Sequence, residues 1–217
     1  MKTTLEGQPR FGLFDDIESA AKSLLETLSM PDGEVSIYHH FFSKTESDKY
    51  FRDLSEETKW RQDKINFYGK EIDLPRLTAW HGDPDKSYMY SRISMNPEPW
   101  TPTLLSIKKR IEEIAAVNFN SVLLNLYRGG RDGVSWHSDD EPDLGENPVI
   151  GSVSFGATRR FQFRHKYRKE LNKIDIELTH GSFLLMKGQT QQFWQHQIPK
   201  TSKSLKPRIN LTFRVIQ

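Results

Sequence analysis

One short stretch carries the residue types of a metal centre: Ser135-Trp136-His137-Ser138-Asp139-Asp140. On a β-strand, side chains two residues apart project to the same side. His137 and Asp139 would then offer one imidazole and one carboxylate together. Two histidines and one carboxylate, with coordination positions left open, suit a non-heme Fe(II) oxygenase. The second histidine has to come from later in the chain. His165 sits in a basic turn, and His180 precedes Gly181. His196, in Phe193-Trp194-Gln195-His196-Gln197-Ile198-Pro199, falls on a late strand that we place beside the strand starting at Arg208, and we choose it. His39 and His40 are adjacent, so on a strand they point to opposite faces, and we read them as structural.

The final strand is informative by parity. Ile209, Leu211, Phe213 and Val215 share one face; Arg208, Asn210, Thr212 and Arg214 share the other. Two readings are open. The polar set faces water, as on any sheet that closes a core. Alternatively it faces the mouth of a barrel, where guanidinium groups would hold a small dianion bidentately. The stretch Leu123-Leu124-Asn125-Leu126-Tyr127 repeats the second pattern, with the Asn125 amide and the Tyr127 phenol on one face.

The elements that must position these groups follow from periodicity. A chain of 217 residues predicts one domain with a sizeable core. The net charge of +2 says little about partners, and the absence of cysteine excludes disulfides, thiolate zinc sites and a cysteine nucleophile. No apolar run reaches transmembrane length, and no signal peptide opens the chain. We expect a soluble intracellular protein, cytoplasmic in a bacterium and nuclear in a eukaryote, with no membrane contact.

Residues 1–15 read as an extended arm. Its Gln8-Pro9-Arg10-Phe11-Gly12-Leu13-Phe14 segment either packs on its own domain or docks on a sliding clamp. Ile17, Ala20, Ala21, Leu24 and Leu28 recur at helical spacing until Pro31-Asp32-Gly33 stops them. Residues 46–60 predict a second helix, with Ser43 and Glu46 spaced as a capping box. Thr101-Pro102 begins a third, whose buried stripe is Leu104, Ile107, Ile111 and Ile114. Between the last two lies an aromatic region: Phe67-Tyr68-Gly69-Lys70, then the strand Pro75-Arg76-Leu77-Thr78-Ala79-Trp80, then Tyr88 and Tyr90 alternating with Met89 and Ser91. It reads either as hairpins with half-exposed tyrosines or as a lid that stacks on a planar base, where each stacking contact is worth about 1–3 kcal/mol.

From residue 119 the texture changes to about eight short strands: 121–127, 135–139, 149–155, 160–164, 174–178, 182–186, 192–197 and 208–216. Such a series suggests a double-sheet jelly roll or barrel. The expected class is α+β: a double-stranded β-helix (jelly roll) core over 119–217, with helices and a recognition lid over 16–118 packed on one face.

At this point the residues carry a family resemblance. Asn125-Leu126-Tyr127-Arg128, Trp136-His137-Ser138-Asp139-Asp140-Glu141-Pro142, Ser154-Phe155-Gly156-Ala157-Thr158-Arg159, His180-Gly181-Ser182 and Pro207-Arg208-Ile209-Asn210-Leu211-Thr212-Phe213-Arg214 resemble the AlkB family of Fe(II)/2-oxoglutarate dioxygenases. The resemblance covers roughly residues 65–217 and is strongest to the DNA-repair branch. It implies that His137, Asp139 and His196 ligate Fe(II). It implies that Arg208, with Asn125 and Tyr127, binds the distal carboxylate of 2-oxoglutarate, with Asn210 and Arg214 near the chelating end. Asp140 would accept from the exocyclic amino group of a base sandwiched by Tyr90 and His137. Tyr68 resembles a wedge for the gap left by a flipped base, and Arg76 would support the opposite strand or a phosphate. Tyr88, Ser91 and Glu141 join the same substrate set.

The activity so implied is oxidative demethylation of bases such as 1-methyladenine and 3-methylcytosine in DNA, using Fe(II), 2-oxoglutarate and O2 and releasing formaldehyde, succinate and CO2. A base must be flipped or single-stranded to be reached. The implied partner is DNA, single- or double-stranded, with RNA as the alternative substrate, a non-catalytic nucleic-acid binder as a third reading, and a monomer as the expected state. Arg159, Arg160, Arg164, Lys166, Arg168, Lys169 and Lys173, followed by Lys200, Lys203 and Lys206, would grip phosphates with a salt-sensitive affinity.

Overall fold

A computed structural model describes residues 25–67, 69–84, 88–90, 93–95 and 97–217, without the side chains of 66, 67, 88–90 and 93–95. The proposed arm, the helical repeat over 17–24, Tyr68, Ser91 and the side chains of Tyr88 and Tyr90 lie outside the described residues.

Two antiparallel sheets face each other. The larger has seven strands. Three of them precede residue 119: β1 (Leu25–Thr27), β2 (Glu34–Tyr38) and β5 (Leu77–Gly82). The other four are β8 (Ser121–Tyr127), β10 (Ile150–Gly156), β13 (Ser182–Lys187) and β15 (Arg208–Arg214). Their order is β1-β2-β13-β10-β15-β8-β5. The smaller sheet has the order β12-β11-β14-β9, from β9 (Val134–His137), β11 (Arg159–His165), β12 (Ile174–Leu178) and β14 (Trp194–Ile198). Two hairpins stand apart, β3 (Lys64–Phe67) with β4 (Lys70–Asp73) and β6 (Tyr88–Tyr90) with β7 (Ile93–Met95). The eight strands expected after residue 119 are all present, in a mostly antiparallel jelly-roll arrangement.

Helix boundaries follow from capping. Ser43 caps α1 (Lys44–Glu57), and Glu46 reaches back to the Ser43 backbone N–H at 2.9 Å, completing the capping box. Thr101 caps α2 (Pro102–Ala115), whose first residue is proline, a position where the missing N–H costs nothing. Leu104, Ile107 and Ile111 are buried as expected; Ile114 is exposed, and Ala115 takes the buried place instead. The helical reading of 17–28 fails at its end. Leu25–Thr27 is a strand paired with β2, because the chain reverses at the turn around Asp32 and Gly33 and zips back on itself.

The apolar side chains form two layers. Between the sheets lie Phe161, Phe163, Leu184, Trp194 and Ile198 with their neighbours. On the other side of the large sheet, Phe155, Phe183, Ile209, Leu211 and Phe213 pack with Tyr50 and Leu54 of α1 and Leu104, Ile107 and Ile111 of α2. This settles the parity of β15. Its apolar set lies under the helices, so its polar set faces the space between the sheets, and all seven residues are buried. The reading that sent the polar face to water is wrong for this strand. Among the described residues no helix is long and apolar enough to cross a membrane.

Candidate active site

A cavity of about 330 Å3 opens between the sheets. His137, Asp139 and His196 line it, and their ligand atoms lie within 4.8 Å of one another. His137 stands opposite His196 across the β9–β14 ladder, with ring centroids 4.2 Å apart. β14 is bonded to β11 and β9, so His196 is not beside the Arg208 strand, as its place late in the chain suggested; it faces that strand across the cavity.

Nor does one strand carry both His137 and Asp139. β9 ends at His137, and Asp139 lies on the loop after it. That loop is fastened at three points. The Asp139 N–H donates to Gln191 Oε1 at 2.9 Å, Ser138 Oγ donates to the Trp194 carbonyl at 2.9 Å, and Lys166 Nζ donates to Asp140 at 2.9 Å. Gln191, on the short helix α3 (Thr190–Phe193), is 1% exposed.

The donor atoms are prepared for a cation. His137 Nδ1 donates to the Ser135 carbonyl at 2.8 Å, so Nε2 is the ring nitrogen left for a metal. Burial, with His137 nearby, pushes His196 down to about 3, so its imidazole is neutral at physiological pH. Burial acts to raise Asp139, yet the Arg214 guanidinium and the two histidines outweigh it and hold the carboxyl well below the usual range. Arg214 Nη2 donates to Asp139 Oδ1 at 2.6 Å, while Oδ2 stands 3.9 Å from His196 Nε2. Two imidazoles and one ionised carboxylate fit a divalent iron in type and number.

The opposite wall suits a dicarboxylate. Asn125, Tyr127, Ser152, Asn210, Thr212 and Arg214 line it. Asn210 Nδ2 donates to Ser152 Oγ at 2.8 Å and to the Val153 carbonyl at 3.0 Å. Arg208 lies on the same face of β15 but behind the wall, 1% exposed, with the Tyr127 ring over it. Its Nη2 donates to Ser154 Oγ at 2.9 Å, and its Nε and Nη1 are buried with no acceptor in good geometry. Burial pushes it down to about 10, still cationic at neutral pH. Unsatisfied guanidinium donors of this kind call for an anion.

At the rim the sequence expectations divide. Glu141 lines the cavity, with Oε2 buried and unpartnered, whereas Asp140 is exposed and paired with Lys166. Arg76 is buried, lines the cavity and donates from Nε to Asn125 Oδ1. Arg159 drops out of the basic face. It is 3% exposed and ties together the carbonyls of Gly129, Asp132 and Pro199. Arg160 and Arg168 pair with Asp175 and Glu170. Arg164 lies 4.4 Å above the Trp136 ring and is held by Gln195; Lys173 is 5.7 Å from the same ring. Arg164, Lys169, Lys173, Lys200, Lys203 and Lys206 make no ion pair among the described residues.

Sequence reasoning missed Ser152, Ser154 and Gln191. The serines alternate in Ser152-Val153-Ser154 on an otherwise apolar strand, a parity signal that could have been read. Nothing in the spacing of Gln191 marks it.

Residues 34–214 match the profile of the 2OG-Fe(II) oxygenase superfamily. The human alpha-ketoglutarate-dependent dioxygenase alkB homolog 3 is 45% identical over 190 residues, 84% of this chain and 66% of that protein. The chain thus spans slightly less than two thirds of that relative's length. The mouse DNA oxidative demethylase ALKBH2 is 39% identical over 188 residues, 82% of this chain and 79% of that protein. A solved structure, that of OsALKBH1, superposes with a TM-score of 0.59 at 16% identity over 88% of this chain and all of that one, a likeness of fold alone.

Proposed function

Since this chain belongs to the 2OG-Fe(II) oxygenase superfamily, on its alkB-homologue branch, we propose that it demethylates N-alkylated bases in DNA, with residues 1–217 acting as one catalytic unit. One observation carries the reading. A three-residue metal face and a buried wall of amide, hydroxyl and guanidinium groups meet across a single cavity. A simple nucleic-acid binder would have no use for either.

His137, Asp139 and His196 would hold the metal on one side of the cavity. Iron, 2-oxoglutarate and O2 together supply the oxidation that turns an N-methyl into an N-hydroxymethyl group, which leaves as formaldehyde, with succinate and CO2 as the other products. Arg214 keeps Asp139 ionised and oriented. Asn125, Tyr127, Asn210 and Arg208 would receive the co-substrate. Phe161 stacks on the His196 ring at 5.2 Å and keeps that side of the metal face dry. Glu141 and, at the rim, Asp140 offer carboxylate acceptors for the exocyclic amino group of a base. The proposed base sandwich by Tyr90, with Tyr88 and Ser91, and the wedge role of Tyr68 rest on the family resemblance. A methyl group on the pairing edge weakens pairing, so a damaged base costs less to extrude. The unpaired cations around Trp136 and on 200–206 would grip phosphates.

The iron-loaded protein should release formaldehyde from 1-methyladenine and 3-methylcytosine oligonucleotides only when 2-oxoglutarate is present. Single-stranded DNA, duplex DNA and RNA of one sequence form the panel. Lack of 2-oxoglutarate-dependent turnover on all three would sink the reading, and turnover on RNA alone would move the substrate to RNA. Binding to the unmethylated strand should weaken steeply as salt rises.

A further inference from the structure

Two arginines line the cavity among the described residues. Arg214 is accounted for by Asp139. Arg76 enters from the other side, just before β5, and is 6% exposed. Its Nε donates to Asn125 Oδ1 at 2.7 Å. The β5–β8 ladder fixes this meeting, because Leu77 stands opposite Leu126 and Thr78 opposite Asn125.

The chemistry of that contact decides which way the amide faces. A guanidinium can only donate. The Asn125 atom it meets is therefore the carbonyl oxygen, and the amide nitrogen is turned elsewhere. Asn125 lines the cavity, and its Nδ2 makes no hydrogen bond among the described residues. A donor is thus held toward the space where a carboxylate would lie. With the amide reversed, the cavity would meet a carbonyl oxygen, which repels a carboxylate. In an unconstrained asparagine the two orientations differ little, so the residue that chooses between them controls the anion.

We infer that Arg76 is a positioning residue for co-substrate binding: it fixes the Asn125 amide with Nδ2 toward the cavity, as donor to a carboxylate of 2-oxoglutarate. The inference rests on the dioxygenase reading above. It takes Arg76 away from the nucleic-acid face, where sequence reasoning put it, and gives it to the co-substrate. Arg76 acts through Asn125, so its effect requires Asn125.

That dependence is testable by a double-mutant cycle. The protein is loaded with Mn(II), and 2-oxoglutarate binding is measured by calorimetry for the wild type, Arg76→Met, Arg76→Lys, Asn125→Ala and the Arg76→Met/Asn125→Ala double variant. Arg76→Met should weaken binding about tenfold, the scale of a lost charge-assisted hydrogen bond. Arg76→Lys, which keeps a donor, should recover part of it. In the Asn125→Ala background, Arg76→Met should cost nothing further. Unmethylated single-stranded DNA should bind Arg76→Met as it binds the wild type.

Three results would overturn the inference: unchanged 2-oxoglutarate affinity in Arg76→Met, losses that add in the double variant, or a loss confined to DNA binding. If Arg76→Met does not fold, Arg76→Lys and Asn125→Ala carry the cycle, and a lysine variant no better than Asn125→Ala alone overturns it equally. A folded wild type that binds no 2-oxoglutarate fails differently, because it removes the dioxygenase reading and this inference together.

Discussion

Replacing Asp139 with alanine is expected to abolish turnover on every substrate, a loss on the order of a thousandfold or more. Its binding to unmethylated DNA, and the salt dependence of that binding, should stay near wild type. Asp139 is 2% exposed, and each of its oxygens faces one task. Oδ1 accepts from Arg214, and Oδ2 looks toward His196. Alanine removes the carboxylate of the described metal face and breaks its buried ion pair with Arg214. Breaking a buried pair in this way costs about 3–5 kcal/mol. In a domain of this size, that lowers the melting temperature by roughly 10 °C.

Asp139→Asn separates the two effects. The amide oxygen still accepts from Arg214, so most stability remains, while the anionic ligand is lost. Thermal unfolding, iron retention, formaldehyde release and DNA binding, measured on both variants, should give two dead enzymes of different stability. Turnover within about tenfold of wild type in either variant would remove Asp139 from the metal. A fall in DNA affinity matching the fall in turnover would place the phosphate grip at the metal loop instead of the lysines.

Gly156→Ala should be strongly damaging to the fold. Gly156 ends β10 at φ +91°, a conformation that costs other residues about 1–2 kcal/mol. A Cβ there would collide with the Pro207 carbonyl oxygen and stand 2.8 Å from Phe51 Cε2 and 3.2 Å from the Arg208 Cα. Pro207 and Arg208 lead into β15, and Phe51 belongs to α1, so neither side can yield cheaply. Overpacking adds about 1–3 kcal/mol. The sum predicts a melting temperature lower by about 10 °C. Because the displaced backbone carries Arg208, the affinity for 2-oxoglutarate should fall as well. A melting temperature within about 2 °C of wild type would show that β10 and β15 separate more easily than this packing allows.

How much of the molecule was legible varies with the range of the interactions. Ser43 with Glu46, and Thr101 with Pro102, gave two helices within a few residues of their ends, because capping is local chemistry. The polar face of β15 was legible as unusual, but its direction needed the helices that cover the opposite face. His137 and Asp139 were found for partly the wrong reason. The pair does converge on a metal face, yet a loop held by Gln191 achieves this and not strand alternation. His196 was correctly chosen for that face and wrongly placed beside Arg208, since strand neighbours in a two-sheet fold do not follow chain order. Arg159 shows the limit of reading charge from sequence. It belongs to a basic run, but three backbone carbonyls that no pattern reveals bring it indoors. Arg76 likewise has a partner on the neighbouring strand, Asn125, that no sequence pattern reveals.

The position of β15 also has a consequence for motion. It is bonded along its whole length to β8 and along six residues to β10, with helices over one face and the second sheet over the other. Amide protons in such a place exchange with solvent only when the whole molecule opens, whereas isolated two-stranded hairpins exchange through small local openings. The β3–β4 and β6–β7 hairpins are of the second kind. The molecule therefore keeps its slowest clock in the strand that would receive the co-substrate and its faster ones in the hairpins that precede the core. Deuterium should label those hairpins well before Asn210 and Thr212, and retention of 2-oxoglutarate binding on heating should persist until the last cooperative unit gives way.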